Sequence, residues 1–209
     1  MKQKERNQRM RRCILDGALT EFAVHGYAAS SINTICATQK ISKGILYHYF
    51  TGKDALYLAC VEECFQTLTR WLRNGMEATH GTLEEQLEAY FMFRSAFFAE
   101  HPRYQPLFCE AVISPPAHLK SGVDAIKAEF NTFNTQTLSR LLESVRLRPH
   151  ITKAEVIETF RQFQDFFNAQ YSMEDVGEEG FAARELDCHK VLNILLYGVI
   201  DQKGGTTVQ

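Results

Sequence analysis

The sequence predicts an all-α protein of about nine helices, with a trihelical basic unit at the front and a larger helical region behind it. Apolar residues recur at spacings of three and four almost throughout, and strand-like alternation is missing. Gly26, the stretch Gly75 to Gly81, Pro102 and Pro149 fall between the periodic stretches, where helices should stop. A hydrophobic content of 45% in 209 residues, with 15 Phe and 8 Tyr, suffices for an ordinary core and excludes a disordered or collagen-like chain.

Each element follows from its spacing. Met10, Ile14, Ala18 and Phe22 recur every four residues beside Leu15 and Leu19, giving a first helix that ends near His25-Gly26. Ser31 stands as N-cap of a short second helix with Ile32, Ile35 and Cys36 on one face, and Ser42 caps a third through Leu46 to Phe50. A fourth starts at Thr51-Gly52-Lys53, with Leu58, Val61, Phe65, Leu68 and Leu72 along one side. The fifth turns Leu83, Leu87, Tyr90, Phe91, Phe97 and Phe98 one way, with Arg94 on the same face, until His101-Pro102 ends it. Pro106 and Pro115-Pro116 bracket a short segment, and 119–147 reads as one long or broken helix stopped at Pro149. Thr152 caps another, with Val156, Phe160, Phe163, Phe167 and Tyr171 on its stripe; 172–184 reads as a loop, and the last helix covers about 185–201.

A net charge of −2 conceals a division. Residues 1–53 hold nine Lys/Arg against three acids, a balance of +6, and residues 54–209 hold 14 against 22, a balance of −8. The first quarter is suited to a polyanion and the rest is not, although a solvated basic helix end has the same composition. The six cysteines lie in helix-like stretches with no secretory signal ahead of them, so reduced thiols and a cytoplasmic location are expected. The longest nearly apolar run, 191–200, is about half of the roughly 20 residues a bilayer span needs, and no membrane span is expected.

Residues 31–53 have the layout of a helix-turn-helix, two short helices about a turn at Thr38-Gln39-Lys40. The second carries Ser42, Lys43, Gly44, Tyr47, His48 and Tyr49, polar and aromatic groups of the kind this motif presents to the major groove. From Ile14 to Leu56 the chain resembles the DNA-binding domain of the TetR family of bacterial transcriptional regulators. The resemblance rests on Ile14-Leu15-Asp16-Gly17-Ala18 with Phe22, on His25-Gly26-Tyr27, on Ser31-Ile32-Asn33-Thr34-Ile35-Cys36, and on Ile41-Ser42-Lys43-Gly44-Ile45-Leu46-Tyr47-His48-Tyr49-Phe50 with Lys53-Asp54-Ala55-Leu56. It implies that Lys43, Gly44, Ile45 and Tyr49 face bases or the adjacent backbone. By the same resemblance Tyr47 and Lys53 hold phosphates, and Ser31 and Asn33 make phosphate or base contacts. His48 either joins them or lies partly against the fourth helix, and Leu46 and Phe50 are core. Ile45 departs from the threonine common there, which exchanges a hydroxyl contact for an apolar one suited to a thymine methyl. The basic residues Lys2, Lys4, Arg6, Arg9, Arg11 and Arg12 either reach the DNA backbone or are a solvated end.

The resemblance also implies a DNA-binding domain over 1–53, an effector-binding and dimerisation domain over 54–209, and repression of a palindromic operator. The apolar helices 152–171 and 185–201 suit a homodimer interface or, alternatively, the closing of the protein's own core. A small, apolar or aromatic effector would fit among the aromatics of the fourth to eighth helices, where Arg94, Tyr90, Phe97, Phe98, Phe133 and Phe163 are the candidates, with His101, Tyr104 and His118 weaker ones. Arg94 on an apolar face needs a carboxylate, either the protein's or a ligand's. Cys60 and Cys64, four apart on one helix, leave a thiol- or metal-responsive regulator as an alternative, although further ligands at metal spacing are missing. An enzyme is not expected: Glu84-Glu85 and Glu178-Glu179 face apart, and Gly-rich phosphate loops, HExxH and GxSxG are missing. No cofactor is expected.

Overall fold

The computed structural model describes residues 3–169 and 178–200. Among these residues nine α-helices follow one another: α1 (Gln3–Ala29), α2 (Ile32–Thr38), α3 (Lys43–Tyr49), α4 (Lys53–Glu77), α5 (Leu83–Glu100), α6 (Tyr104–Ile113), α7 (Lys120–Leu141), α8 (Lys153–Ala169) and α9 (Glu178–Val199). A 3-10 turn, Ala117–Leu119, leads into α7, and an isolated antiparallel bridge joins Leu147 to Ile200.

Local chemistry sets the helix starts. Ser31 Oγ accepts from Asn33 N at 3.1 Å to cap α2, and Ser42 Oγ accepts from Ile45 N at 3.3 Å to cap α3. At α8, Thr152 Oγ1 accepts from Glu155 N at 3.2 Å while Glu155 Oε2 accepts from Thr152 N at 2.8 Å, a reciprocal box. Thr82 and Glu85 repeat that box at α5 with the same two distances. α1 is broken at Gly26, whose φ of 65° and ψ of 179° are not helical. The Tyr27 N–H beyond the break is received by the Glu110 carboxylate of α6, at 2.9 and 3.2 Å.

Four boundaries differ from the sequence expectation. α1 runs back to Gln3, so Lys4, Arg6, Arg9, Arg11 and Arg12 are helical; Lys2 lies outside the described residues. α4 continues through Gly75, because the Phe93 ring lies over that residue so closely that a Cβ there would be 2.8 Å from it. α7 stops at Leu141 instead of reaching 147: the chain tightens into i→i−3 bonds at Glu143 and Ser144, and Ser144 Oγ donates to the Leu141 carbonyl at 2.9 Å. α9 begins at Glu178 within the segment read as a loop, since burial of Phe181, Arg184, Glu185 and Cys188 outweighs the helix-weakening Gly180. Positions 172–177 of that loop, like Tyr171 and Asp201 of the expected last two helices, lie outside the described residues.

The described residues form two compact units. The first holds the residues up to Leu68 together with Phe98–Ala128. There α1 packs on α2 and α6, around a core that includes Ile14, Phe22, Ile35, Leu46, Tyr57 and Phe108. Tyr57 meets Phe22 and Tyr27 edge to face, with ring centroids 5.3 and 5.1 Å apart. The second holds Thr69–Phe97 and the described residues from Glu129 onward, with Leu72, Met76, Leu87, Phe97, Leu142 and Leu196 buried and α8 on α9. No helix among the described residues is long and apolar enough to cross a membrane.

Replacing Gly26 with Ala puts a Cβ in the left-handed region, 3.3 Å from Glu110 Oε1. The expected loss is about 1–2 kcal/mol, read from urea unfolding of the full chain.

Candidate nucleic-acid interface

A helix of seven residues does not persist in water by itself, so α3 is held from below. Leu46 is fully buried and Phe50 nearly so, and the Arg11 guanidinium of α1 lies 5.3 Å over the Phe50 ring. The preceding turn closes α2 with Ile41 N bonded to Cys36 O at 3.0 Å and Lys40 N to Ala37 O at 3.2 Å, the bonds of a Schellman motif. Its left-handed position, usually glycine, is filled by Lys40 at φ 54°.

With Leu46 and Phe50 turned inward, Ser42, Lys43, Gly44, Ile45, Tyr47 and His48 are exposed and Tyr49 is half-buried. Ile45 and Tyr47, 39% and 51% exposed, are large groups left uncovered on a seven-residue helix. A Cβ at Gly44 would meet nothing closer than Ser42 Oγ at 3.8 Å, so the fold itself does not require glycine there. His48 lies edge-on to Tyr49, with centroids 5.1 Å apart. Asn33 is exposed at the start of α2, beside Ser31, whose oxygen is engaged in capping. Lys53 is held back: its Nζ donates to Ala28 O at 3.2 Å and stands 4.5 Å over the Tyr27 ring. Asn7 is a neighbour the sequence did not reveal; its Oδ1 accepts from the Tyr49 hydroxyl at 3.3 Å, bringing the basic first turns of α1 beside α3.

Tyr27, Asp54 and His118 brace this unit. The Tyr27 hydroxyl donates to Asp54 and lies 3.1 Å from His118 Nε2, and His118 lies 3.3 Å from Asp54 Oδ2. Desolvation, joined by the Asp54 carboxylate, pushes the Tyr27 phenol up to about 12. The Tyr27 hydrogen bond, with the His118 contact, lowers Asp54.

The second unit contains a narrow, partly open cavity with about 30 Å³ of room, lined mostly by aliphatic and aromatic side chains. Of the six effector candidates, Arg94 and Tyr90 line it. Phe97 packs against Trp71 at 6.0 Å, Phe133 lies beneath Arg73 at 5.8 Å, and Phe163 is half-buried, none of them in its wall. Phe98 belongs to the first unit, where it meets Phe108 at 5.1 Å. His101, Tyr104 and His118 also lie in the first unit. Periodicity put these aromatics on one helical face but left their partners open. Leu87, Phe91, Asn134, Thr137, Leu138, Leu141, Phe160, Cys188 and Leu192 complete the lining. Arg94 meets a carboxylate of the protein itself, Glu185 Oε1 at 3.0 Å. Burial, which alone would lower Arg94, is outweighed by that carboxylate, so the guanidinium stays charged.

Cys60 and Cys64 are buried against the Leu15 and Tyr104 carbonyls, and burial raises both thiols far above the ordinary range, away from thiolate chemistry. No group of three or more His, Cys, Asp or Glu placed to hold a metal occurs among the described residues. Of the acidic pairs, Glu85 is spent in its cap and Glu84 accepts from the Tyr197 hydroxyl at 2.6 Å.

A helix-turn-helix whose second helix exposes its polar face, in a chain otherwise built of helices, defines a DNA-binding transcriptional regulator. Residues 14–60 match the family described as bacterial regulatory proteins, tetR family, a family of regulators and not of enzymes. The chain is 24% identical over 162 residues to the biofilm operon icaADBC HTH-type negative transcriptional regulator IcaR of Staphylococcus epidermidis, covering 76% of this chain and 83% of the relative. With its counterpart from Staphylococcus aureus strain Newman it shares 20% over 186 residues, 88% of this chain and 97% of the relative. Among solved structures, the fold is similar to Bacillus subtilis FadR in complex with stearoyl-CoA, with TM-score 0.68, 16% identity, and coverage of 90% of this chain and 98% of that one. It is also similar to reduced Escherichia coli NemR, with TM-score 0.64, 16% identity, and coverage of 95% and 99%.

The neutral phenol of Tyr27 is the form the fold favours. Its contribution is complete below the free value near 10 and is lost as pH rises through about 12. In spectrophotometric titration, Tyr27→Phe removes one of the tyrosines that ionise near pH 12.

Proposed function

We propose that this regulator is a homodimeric repressor that binds a palindromic operator and is released or recruited by a small effector with an apolar or aromatic body. Residues 1–53 are its DNA-binding domain and residues 54–209 carry effector binding and dimerisation; it acts in the cytoplasm. The carrying observation is α3: Leu46 and Phe50 are spent inward, so Lys43, Gly44, Ile45, Tyr47 and His48 are left for the major groove. Ser42 and the α3 amides, Tyr49, Ser31, Asn33 and Lys53 complete the contact surface, with Lys53 leaving the Ala28 carbonyl for a phosphate. Repression is supported by the relatives named as negative regulators.

Dimerisation through 152–171 and 185–201 is supported by one face of α9. Leu186, Ile194 and Tyr197 are 52%, 69% and 44% exposed there, and a Cβ at Gly198 would meet nothing within 4 Å. Among the described residues nothing packs on Gly198, in the last turn of α9, and a second copy of α9 would use the room. The thiol- or metal-responsive reading has no such support, given the buried thiols.

Selection from random duplex DNA should recover a two-fold symmetric site; enrichment of no sequence, or of an asymmetric one, overturns the dimeric operator reading. On that site Lys43→Ala should weaken binding by about 1–3 kcal/mol, roughly five- to 150-fold, with the melting temperature unchanged because Lys43 is exposed. Ile194→Glu should give a folded monomer by light scattering, since the side chain is already in water within one chain.

A further inference from the structure

The cavity of the second unit is lined by apolar side chains and by one polar cluster. Leu87, Phe91, Leu138, Leu141, Phe160 and Leu192 form the walls. The polar cluster is Arg94, Asn134, Thr137 and Tyr90, and no lining residue is a carboxylate among those described. Asn134 is 5% exposed, its Oδ1 accepts from the Tyr90 hydroxyl at 2.8 Å, and its Nδ2 has no hydrogen-bond partner among the described residues. A buried amide N–H left unbonded at a cavity wall is costly unless something that enters the cavity accepts from it.

The entering group is therefore an acceptor, and the guanidinium beside it selects a negative one. An ammonium would face Arg94 with no carboxylate in the wall to receive it, and a hydroxyl would answer Asn134 without using the charge. Arg94 is already paired, but its partner is shared. Glu185 Oε1 lies 3.0 Å from Arg94 and 3.3 Å from Arg184 Nη1, and Glu185 Oε2 makes no hydrogen bond among the described residues. When Arg94 turns to a ligand acid, Glu185 keeps an ion pair with Arg184, so the exchange strands no buried charge.

Building on the effector-regulated reading, we propose that this cavity widens to take an amphipathic monocarboxylic acid. Its carboxylate accepts from Asn134 Nδ2 and Arg94, and its aliphatic or aryl body lies along Leu87, Phe91, Leu138 and Phe160. Arg94 stands on α5 and Glu185 on α9, so the acid competes for the ion pair that ties α5 to α9 within this unit.

The test is isothermal calorimetry on the full-length chain with four probes: octanoate, 4-phenylbutyrate, octan-1-ol and octylamine. The carboxylates should bind at least tenfold tighter than the alcohol or the amine. Asn134→Asp keeps the acceptor for Tyr90 but sets a negative charge against the ligand, and should weaken both carboxylates at least tenfold. Circular dichroism checks that this variant folds; if it does not, the four-probe ranking on the unaltered chain decides alone. Equal binding of octan-1-ol and octanoate, preference for octylamine, no binding of either carboxylate, or full carboxylate affinity in a folded Asn134→Asp chain each overturns the proposal. Operator binding is measured in parallel by anisotropy: sequence-selective binding without a carboxylate preference leaves the regulator reading standing, and its absence removes that reading whatever the probes do.

Discussion

Short helices cannot hold themselves, and the DNA-reading surface is made of two that are seven residues each. Nucleation is too costly for such a length in water, so α2 and α3 exist because side chains at their inner faces are buried and their first amides are capped. Leu46, Phe50, Ile35 and Cys36 supply the burial, and Ser31 and Ser42 the caps. Turning Leu46 and Phe50 inward is also what leaves Lys43, Ile45, Tyr47 and His48 on the outer face of α3. One constraint thus generates both the stability of the element and its chemistry.

The parts that were legible in the sequence are those set within a few residues. Ser31, Ser42 and Thr152 announce helix starts because a hydroxyl reaches an amide two or three positions on. Leu46 and Phe50 were assigned to the core by the resemblance, and the exposed residues between them follow. Contacts at long separation were not legible. Nothing near Tyr27 indicates that Glu110, 83 residues on, receives its amide, and nothing near Tyr49 indicates Asn7. Periodicity placed Arg94 on an apolar face but not against Glu185, and it could not sort Phe97, Phe98, Phe133 and Phe163 by what they touch. Gly75 and Gly180 misled for one reason: glycine reads as a break, whereas tertiary packing holds the helix through both.

The two units handle polar groups differently. In the first, charges pair near water: Arg12 reaches Glu63 at 2.6 Å and also Asp16, and Tyr27 shares Asp54 with His118. Such pairs are screened and each adds little to stability, so the hydrophobic core beneath carries that unit. In the second, Arg94, Arg184 and Glu185 are each less than one-tenth exposed. Ions taken from water need near-complete bonding to offset desolvation, and a buried network that retains unbonded atoms is poised between arrangements. That is a poor way to stabilise a helix pair and a suitable one for a helix pair that must change.

The cysteines carry a practical consequence. Cys36, Cys60, Cys64, Cys109 and Cys188 are buried, whereas Cys13 is half-exposed on α1, its Sγ 3.1 Å from Gln39 Oε1 at the turn between α2 and α3. A thiol-directed fluorophore applied to the folded, unmodified chain is therefore directed to one place, beside the hinge of the DNA-reading motif. The protein brings its own attachment point for a spectroscopic reporter, and no cysteine has to be engineered in or out to watch that motif engage its target.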